Sequence, residues 1–229
     1  MSGVSGVSGL SATLPRMHSL GDAALLCELP APATLAAQQK IWALADEARQ
    51  WPGVTEVLPG MNNLSLIYEP GRVDSEELEA RVAAIWPRLA ANAIVGRHIE
   101  IPVYYGGEGG PDLGDVARHT GLTPAEVVRQ HSAAEYIVYL LGFLPGFAFL
   151  GGLAPALATP RRTEPRTAVP AGSVGIGGEQ TGAYPLVSPG GWQLIGRTSV
   201  RLFDPQAAEP TLLRPGDRVR FVAERVEFA

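Results

Sequence analysis

The stretch Gly142-Phe143-Leu144-Pro145-Gly146-Phe147-Ala148-Phe149-Leu150-Gly151-Gly152-Leu153 decides how the second half of the chain reads. A helix cannot run through Pro145-Gly146, because proline lacks the amide donor and its ring collides with the preceding turn. A central strand tolerates neither residue well. The segment therefore forms a shaped loop that carries three phenylalanines. Downstream of it, glycine and proline recur every few residues between short apolar runs, the texture of a β-barrel or sandwich with long loops. Strands are expected at Val169 to Ile176, Trp192 to Ile195, Val200 to Phe203 and Arg218 to Val222. Leu213-Arg214-Pro215-Gly216-Asp217 is the turn into the last of them.

Upstream the pattern changes. Asp22 to Leu29 reads as a strand and Leu35 to Arg49 as an amphipathic helix. Val54 to Leu58 and Leu64 to Glu69 read as strands on either side of a Met61-Asn62-Asn63 turn. Asp74 caps a second helix, with Glu77 completing a capping box ahead of Leu78, Val82, Ile85 and Leu89. Arg97 to Tyr104 is a further strand. The order β-α-β-β-α-β predicts a small split-βαβ layer. Two short helices follow, one opened by Asp112 and one by Thr123-Pro124 with Glu126. Glu135 to Leu141 then alternates as a strand leading into the loop. The expected organisation is α+β: a tail over residues 1–13, an α/β domain over 14–96 and a barrel domain over 97–229.

Composition narrows the function. The chain has 229 residues, enough for one large domain or two small ones, and a formal net charge of -5. That acidity argues against nucleic acid as a partner, which would need a basic footprint. The paired short helices imitate a helix-turn-helix, but only Arg129, Gln130 and His131 would be there to read bases. Lys40 is the sole lysine, so anion binding in the C-terminal half must use arginine or backbone amides. Cys27 is the sole cysteine and sits in an apolar run, as a core thiol does. No apolar run reaches the roughly 18 residues of a membrane span, and the N-terminus has no basic n-region. A cytoplasmic setting is expected.

Four pieces carry candidate chemistry. The aromatic loop reads either as a seal on the barrel end or as an aromatic-walled pocket. Thr159-Pro160-Arg161-Arg162-Thr163-Glu164-Pro165-Arg166 holds three arginines pre-positioned by prolines, and guanidinium forks suit carboxylate or phosphate. Gly172-Ser173-Val174-Gly175-Ile176-Gly177-Gly178-Glu179-Gln180-Thr181-Gly182 could present amides to an oxyanion or phosphate. It matches neither phosphate-loop pattern, since it lacks the lysine of one and has Gln180 where the other needs glycine. Ser188-Pro189-Gly190-Gly191-Trp192-Gln193-Leu194-Ile195-Gly196-Arg197 is a turn feeding a strand that ends in arginine. The histidines are unpaired and no acidic or cysteine cluster joins them, so no tightly bound metal is expected. His131, just ahead of the strand into the aromatic loop, is a candidate general base or orienting group.

In this order the pieces resemble the family of the 5-oxoprolinase B subunit and allophanate hydrolase subunit 1. The resemblance rests on His131-Ser132, Gly142-Phe143-x-Pro145-Gly146-Phe147, Pro160-Arg161-Arg162, Pro165-Arg166, Val169-Pro170-Ala171-Gly172-Ser173-Val174, Gln180-Thr181, Tyr184-Pro185, Ser188-Pro189-Gly190-Gly191-Trp192 and Ile195-Gly196-Arg197-Thr198. It implies a ferredoxin-like N-terminal domain and a cyclophilin-like β-barrel. It also implies two 5-oxoprolinase partners, a C subunit similar to allophanate hydrolase subunit 2 and an A subunit of the LamB/YcsF type. ATP would be the co-substrate in cleaving 5-oxoproline to glutamate. Some relatives instead inhibit a histidine kinase, and others form the carboxyltransferase region of urea carboxylase. On this reading His131, Arg166 and Gln180 are catalytic. Phe143, Pro145, Gly146, Phe147, Thr181, Trp192 and Arg197 bind substrate.

Overall fold

The computed structural model describes residues 13–90 and 96–228. The tail expected over residues 1–13 lies outside them, apart from Thr13. The chain divides into two compact units, Met1–Ile94 and Val95–Ala229.

The first unit contains β1 (Arg16–Ser19), β2 (Ala24–Glu28), α1 (Leu35–Ala48), β3 (Val54–Pro59), β4 (Asn63–Tyr68) and α2 (Ser75–Ile85). Its sheet runs β1-β2-β4-β3, and every neighbouring pair is antiparallel. Alternation places Leu25 opposite Leu66 and Cys27 opposite Leu64. All four are fully buried, with Ile41, Leu44, Ala45, Leu78 and Val82 of the two helices in the same core. Burial pushes the Cys27 thiol up to about 12, as expected of a core residue and not of a nucleophile. Thr34 and Asp74 cap the helices by accepting from the amides of Ala37 and Glu77. The only lysine, Lys40, is also buried, its ammonium against the Trp86 carbonyl (3.4 Å) and ring.

One expectation needs correction. The strand beginning near Arg97 does not close this sheet; it belongs to the second unit. The edge beside β2 is taken by β1, which precedes it in a hairpin. Periodicity over four residues was too short a signal to reveal β1. At the β3–β4 turn, Asn62 has a left-handed φ of 62°, a region asparagine tolerates. Its side-chain amide donates to the carbonyls of Leu29 and Pro30, and its own amide donates to Gln38.

The second unit is a closed seven-stranded barrel flanked by two helices and a two-stranded ribbon. In chain order its elements are β5 (His98–Gly106), α3 (Leu113–Thr120), α4 (Pro124–Ala133), β6 (Tyr136–Leu141), β7 (Ala148–Gly151), β8 (Arg166–Val169), β9 (Ser173–Gly177), β10 (Gln180–Ala183), β11 (Ser188–Gly190), β12 (Gln193–Arg197) and β13 (Arg218–Glu227). The barrel order is β10-β7-β6-β13-β5-β12-β9, and β8 pairs with β11 outside it. β5 and β13 are parallel; the other barrel pairs are antiparallel. Ile101, Val103, Tyr105, Val138, Leu150, Val174, Ile176, Val219 and Phe221 fill the interior. α3 packs on β12, and α4 on β13.

Two expected strands differ. Val169 to Ile176 is broken by a turn at Ala171-Gly172, where Gly172 has φ 82°, so it supplies the end of β8 and most of β9. Val200 to Phe203 is not a strand, and only Phe203 makes an isolated bridge, to Thr211. The turn into β13 is held by Asp217, which accepts from the backbone and guanidinium of Arg97 and from the Arg214 amide. Burial pulls the Asp217 carboxyl upward, but those bonds outweigh it and hold it low.

Candidate functional site

The aromatic loop turns where its sequence requires. Leu144-Pro145-Gly146-Phe147 closes with the Phe147 amide on the Leu144 carbonyl (3.0 Å), and Gly146 has φ 80°. Proline in the second place and a left-handed glycine in the third make a type II turn. It sends Phe147 inward, where it is 1% exposed. Tyr184 (5.2 Å), Trp192 (5.4 Å) and Phe149 (5.0 Å) meet the Phe147 ring edge-on, the arrangement that ring quadrupoles favour. Phe147, Val169, Tyr184, Trp192 and Leu194 thus form a small core of their own. Phe147 and Trp192, expected as pocket walls, are closed into that core. Phe143 is 62% exposed and has φ 68°, and Pro145 is exposed beside it.

The same core explains the glycine-rich segment. β9 and β10 are joined by Gly178-Glu179, and Gly178 has φ 66°; glycine in the first place of a two-residue loop fits a type II′ hairpin. β9 is flanked by paired strands on both sides, so it is a barrel stave and not an open cradle of amides. A Cβ on Gly177 would lie 2.4 Å from Cδ1 and Nε1 of Trp192, and one on Gly182 would lie 3.4 Å from its Cζ3. The glycines seat the indole. Gly177→Ala is therefore expected to cost about 1–3 kcal/mol through overpacking, measured as a lowered denaturant midpoint. A midpoint equal to that of the unmodified chain would show that the indole shifts freely.

His131 ends α4 inside the barrel and is 0% exposed. Nδ1 lies 2.7 Å from the Tyr105 hydroxyl and Nε2 lies 2.8 Å from Thr181 Oγ1. Thr181 Oγ1 donates its single proton to the Gly175 carbonyl (2.9 Å), so it must accept from His131. His131 Nε2 consequently carries the hydrogen, and Nδ1 accepts from Tyr105. The ring also stacks on Phe221 at 4.8 Å. Burial lowers its pKa to about 3, so it is neutral at ordinary pH. Neither nitrogen is left to take a proton from a substrate. Of the two expected roles, base or orienting group, this geometry fits the second: His131 holds Thr181 and, through it, the β9–β10 pair.

Asp112 sits at the N-terminus of α3 but does not cap it. Its carboxylate is buried and turns to the arginine loop. Oδ1 accepts from Arg166 Nη2 (2.7 Å) and Arg162 Nη1 (3.2 Å), and Oδ2 accepts from the Leu194 amide (2.7 Å). The loop is also laced to the tryptophan turn, by the Arg162 amide to the Gly191 carbonyl (2.7 Å) and Gln193 Nε2 to the Pro160 carbonyl (3.0 Å). Two guanidiniums face one carboxylate, and Arg166 Nη1 is buried with no hydrogen-bond partner. Burial raises the Tyr184 pKa, partly offset by the Trp192 amide and by the nearby charges of Arg161 and Arg166. The arginine loop and the aromatic core therefore adjoin.

Arg197 ends β12 and is exposed, its Nε donating to the Ala171 carbonyl (3.2 Å). It lines an open cavity of about 430 Å³ with Pro185, Leu186, Thr198, Arg201 and Phe203. A Cβ on Gly146 would lie 2.8 Å from Phe203 Cβ, so the tip of the aromatic loop packs beside this cavity. Gln180 is partly exposed at the start of β10. The ten residues singled out in the sequence thus occupy several places: His131 and Thr181 in the barrel interior, Phe147 and Trp192 in the aromatic core, Arg166 on Asp112, and Arg197 at the cavity. Asp112, Tyr105 and Tyr184 were missed. Asp112 had one signal, an acid directly after Gly-Gly-Pro in a chain whose arginine loop carries only one acid of its own, Glu164. Among the described residues no group of three or more His, Cys, Asp or Glu is gathered as a metal would require, and no helix is long and apolar enough to cross a membrane.

Residues 15–213 match the family model described as carboxyltransferase domain, subdomain C and D. The chain is 54% identical to the 5-oxoprolinase B subunit of Escherichia coli O157:H7 over 211 residues, covering 92% of this chain and 96% of that protein. It is 50% identical to the 5-oxoprolinase B subunit of Haemophilus influenzae, covering 91% and 98%. Among solved structures, TTHA0988 superposes with a TM-score of 0.75 at 39% identity. That match covers 89% of this chain but spans only 40% of the TTHA0988 chain.

Proposed function

Since the chain belongs to the carboxyltransferase-domain family, within its branch of 5-oxoprolinase B subunits and allophanate hydrolase subunit 1, we propose that it is a cytoplasmic subunit of an ATP-dependent 5-oxoprolinase that opens 5-oxoproline to glutamate. The observation that carries this reading is the match along nearly the whole length of proteins named as the B subunit of 5-oxoprolinase. Such a protein works with partners. We assign those roles to a 5-oxoprolinase C subunit similar to allophanate hydrolase subunit 2 and to an A subunit of the LamB/YcsF type. The match spans 40% of the TTHA0988 chain, which suits a piece that works beside further domains. We assign the ferredoxin-like domain to residues 14–96 and the cyclophilin-like barrel to residues 97–229.

Within this reading the cavity at Arg197 receives the substrate. Arg197 and Arg201 line it, and a guanidinium fork grips a carboxylate in two places. Phe143 and Pro145 are exposed on the adjoining aromatic loop, whose Gly146 packs on Phe203 and whose Phe147 packs with Trp192. Gln180 starts β10 opposite Gly177, beside the Gly178 turn that bridges to Thr159, and so lies towards the arginine loop. His131 and Arg166 act through the residues they hold. ATP enters as a co-substrate of the assembly.

The test is glutamate formation from 5-oxoproline and ATP by this chain with both partners, and by each mixture lacking one of them. Turnover is expected only in the complete mixture. No glutamate there would sink the reading. Arg197→Ala is expected to raise KM for 5-oxoproline at least about tenfold, the usual scale for losing one charged contact. An unchanged KM would move the substrate elsewhere.

A further inference from the structure

Beside the Asp112 cluster lies a second cavity that the proposed reaction does not use. It measures about 320 Å³, and its lining includes Asp115, His119, Thr159, Arg161, Arg162 and Thr163. Four observations bear on its chemistry. Arg162 is held in place: one nitrogen is on buried Asp112, Nε is on the Glu164 carbonyl at 3.4 Å, and its backbone is tied to Gly191. Its guanidinium is therefore pre-positioned, so little side-chain freedom is lost on binding. The cluster has a surplus of donors, since Arg162 and Arg166 share one carboxylate of which one oxygen already serves Leu194. A buried donor of the cluster, Arg166 Nη1, goes unsatisfied behind the cavity, whose own lining does not include Arg166. The positive charge is also in surplus: Arg161 adds a further exposed cation, whereas Asp115, the acid on the rim, is neutralised by Arg118 at 2.7 Å. Glu164 is exposed in the same loop.

We propose that this cavity is a phosphate-binding site, in which Arg161 and Arg162, the latter braced by Asp112, grip a phosphoryl group assisted by His119 and Thr163. A phosphoryl group is favoured over a lone carboxylate by geometry. Arg161 and Arg162 both line the cavity, and three phosphoryl oxygens can engage two guanidinium forks together. The site lies apart from the Arg197 cavity and shares no lining residue with it. It stands on its own geometry and does not need the oxoprolinase reading. Asp112 acts here as a positioning residue, reaching the ligand only through Arg162.

The experiment is calorimetric titration of the full chain with inorganic phosphate, pyrophosphate, ATP and acetate at fixed ionic strength. Saturable binding of phosphate and pyrophosphate is expected, with acetate at least tenfold weaker. ATP binding that pyrophosphate displaces would identify a nucleotide as the source of the phosphoryl group. ATP binding that pyrophosphate cannot displace would overturn the proposal, because recognition would then lie in the nucleoside. Arg162→Ala should weaken pyrophosphate binding at least about tenfold, and Arg162→Lys should restore only part of it, because a lysine cannot hold Asp112 and ligand at once. Arg161 is exposed, so Arg161→Ala keeps the test open if the Arg162 variant fails to fold; it should weaken binding several-fold. Undiminished affinity in Arg161→Ala, or equal affinity for acetate and phosphate, overturns the proposal. Absence of saturable binding by the unmodified chain does so too. None of these results depends on glutamate formation, so the two ideas fail separately.

Discussion

Asp112→Ala should lower the unfolding free energy of the second unit by about 3–5 kcal/mol, the range for removing one partner of a buried ion pair. The substitution strips the Oδ1 acceptor from Arg162 and Arg166 and the Oδ2 acceptor from the Leu194 amide in one step. Leu194 lies in the aromatic core, so its amide cannot turn to water without opening that core. The two guanidiniums are part-exposed, at 33% and 24%, so water screens some of their repulsion and the lower half of the range is favoured. For a unit of this size the loss corresponds to a fall in melting temperature of roughly 10 °C. Asp112→Asn keeps one acceptor and should lose about half as much. If Asp112→Ala melted within a degree or two of the unmodified chain, the carboxylate would not be what joins the arginine loop to α3 and β12.

Stability should also depend on pH through His131. The folded protein holds this ring neutral, with a pKa near 3 against 6.5 for a free histidine. Between those values the unfolded chain binds a proton that the folded one refuses. The contribution is therefore complete above about pH 6.5 and is lost as the pH falls towards 3. Across the whole window the effect is on the order of 5 kcal/mol, since a tenfold change in proton affinity is worth about 1.4 kcal/mol. Carboxylates such as Asp217, held low by Arg97 and Arg214 despite its burial, also weaken the fold in acid. The difference between the unmodified chain and His131→Gln isolates the histidine. His131→Gln should be the less stable of the two at pH 7.5, and the gap should shrink by about 2–3 kcal/mol at pH 4.5. A gap that stayed constant with pH would mean that His131 takes up a proton in the folded state.

Much of the fold was legible because local rules and tertiary structure agreed. Asp74 with Glu77, and Thr123 with Pro124 and Glu126, mark helix starts that the structure reproduces as side-chain caps. Pro145-Gly146 gives the turn that proline and glycine dictate. The site was less legible, for a physical reason. Arginine, histidine and tryptophan attract a functional reading wherever they gather, yet burial and hydrogen-bond partners decide their roles, and neither is a local property. His131 meets Thr181 across 50 residues, and Asp112 meets Arg166 across 54. The glycines at 177 and 182 looked like an amide cradle because nothing nearby in sequence shows that an indole lies over them. Asp112 looked like a helix cap because caps are local, while the partners that claim its carboxylate come from a distant loop.

The parallel pairing of β5 with β13 has a consequence for how the chain matures. Arg218 lies beside His98, and Asp217 reaches back 120 residues to Arg97. The first stave of the barrel therefore waits for the last, and every stave between them is synthesised before the ring can shut. A growing chain exposes β5 and β6 as open sheet edges until β13 emerges from the ribosome. Such long-range closure makes folding slow and leaves the nascent barrel open to pairing with other chains.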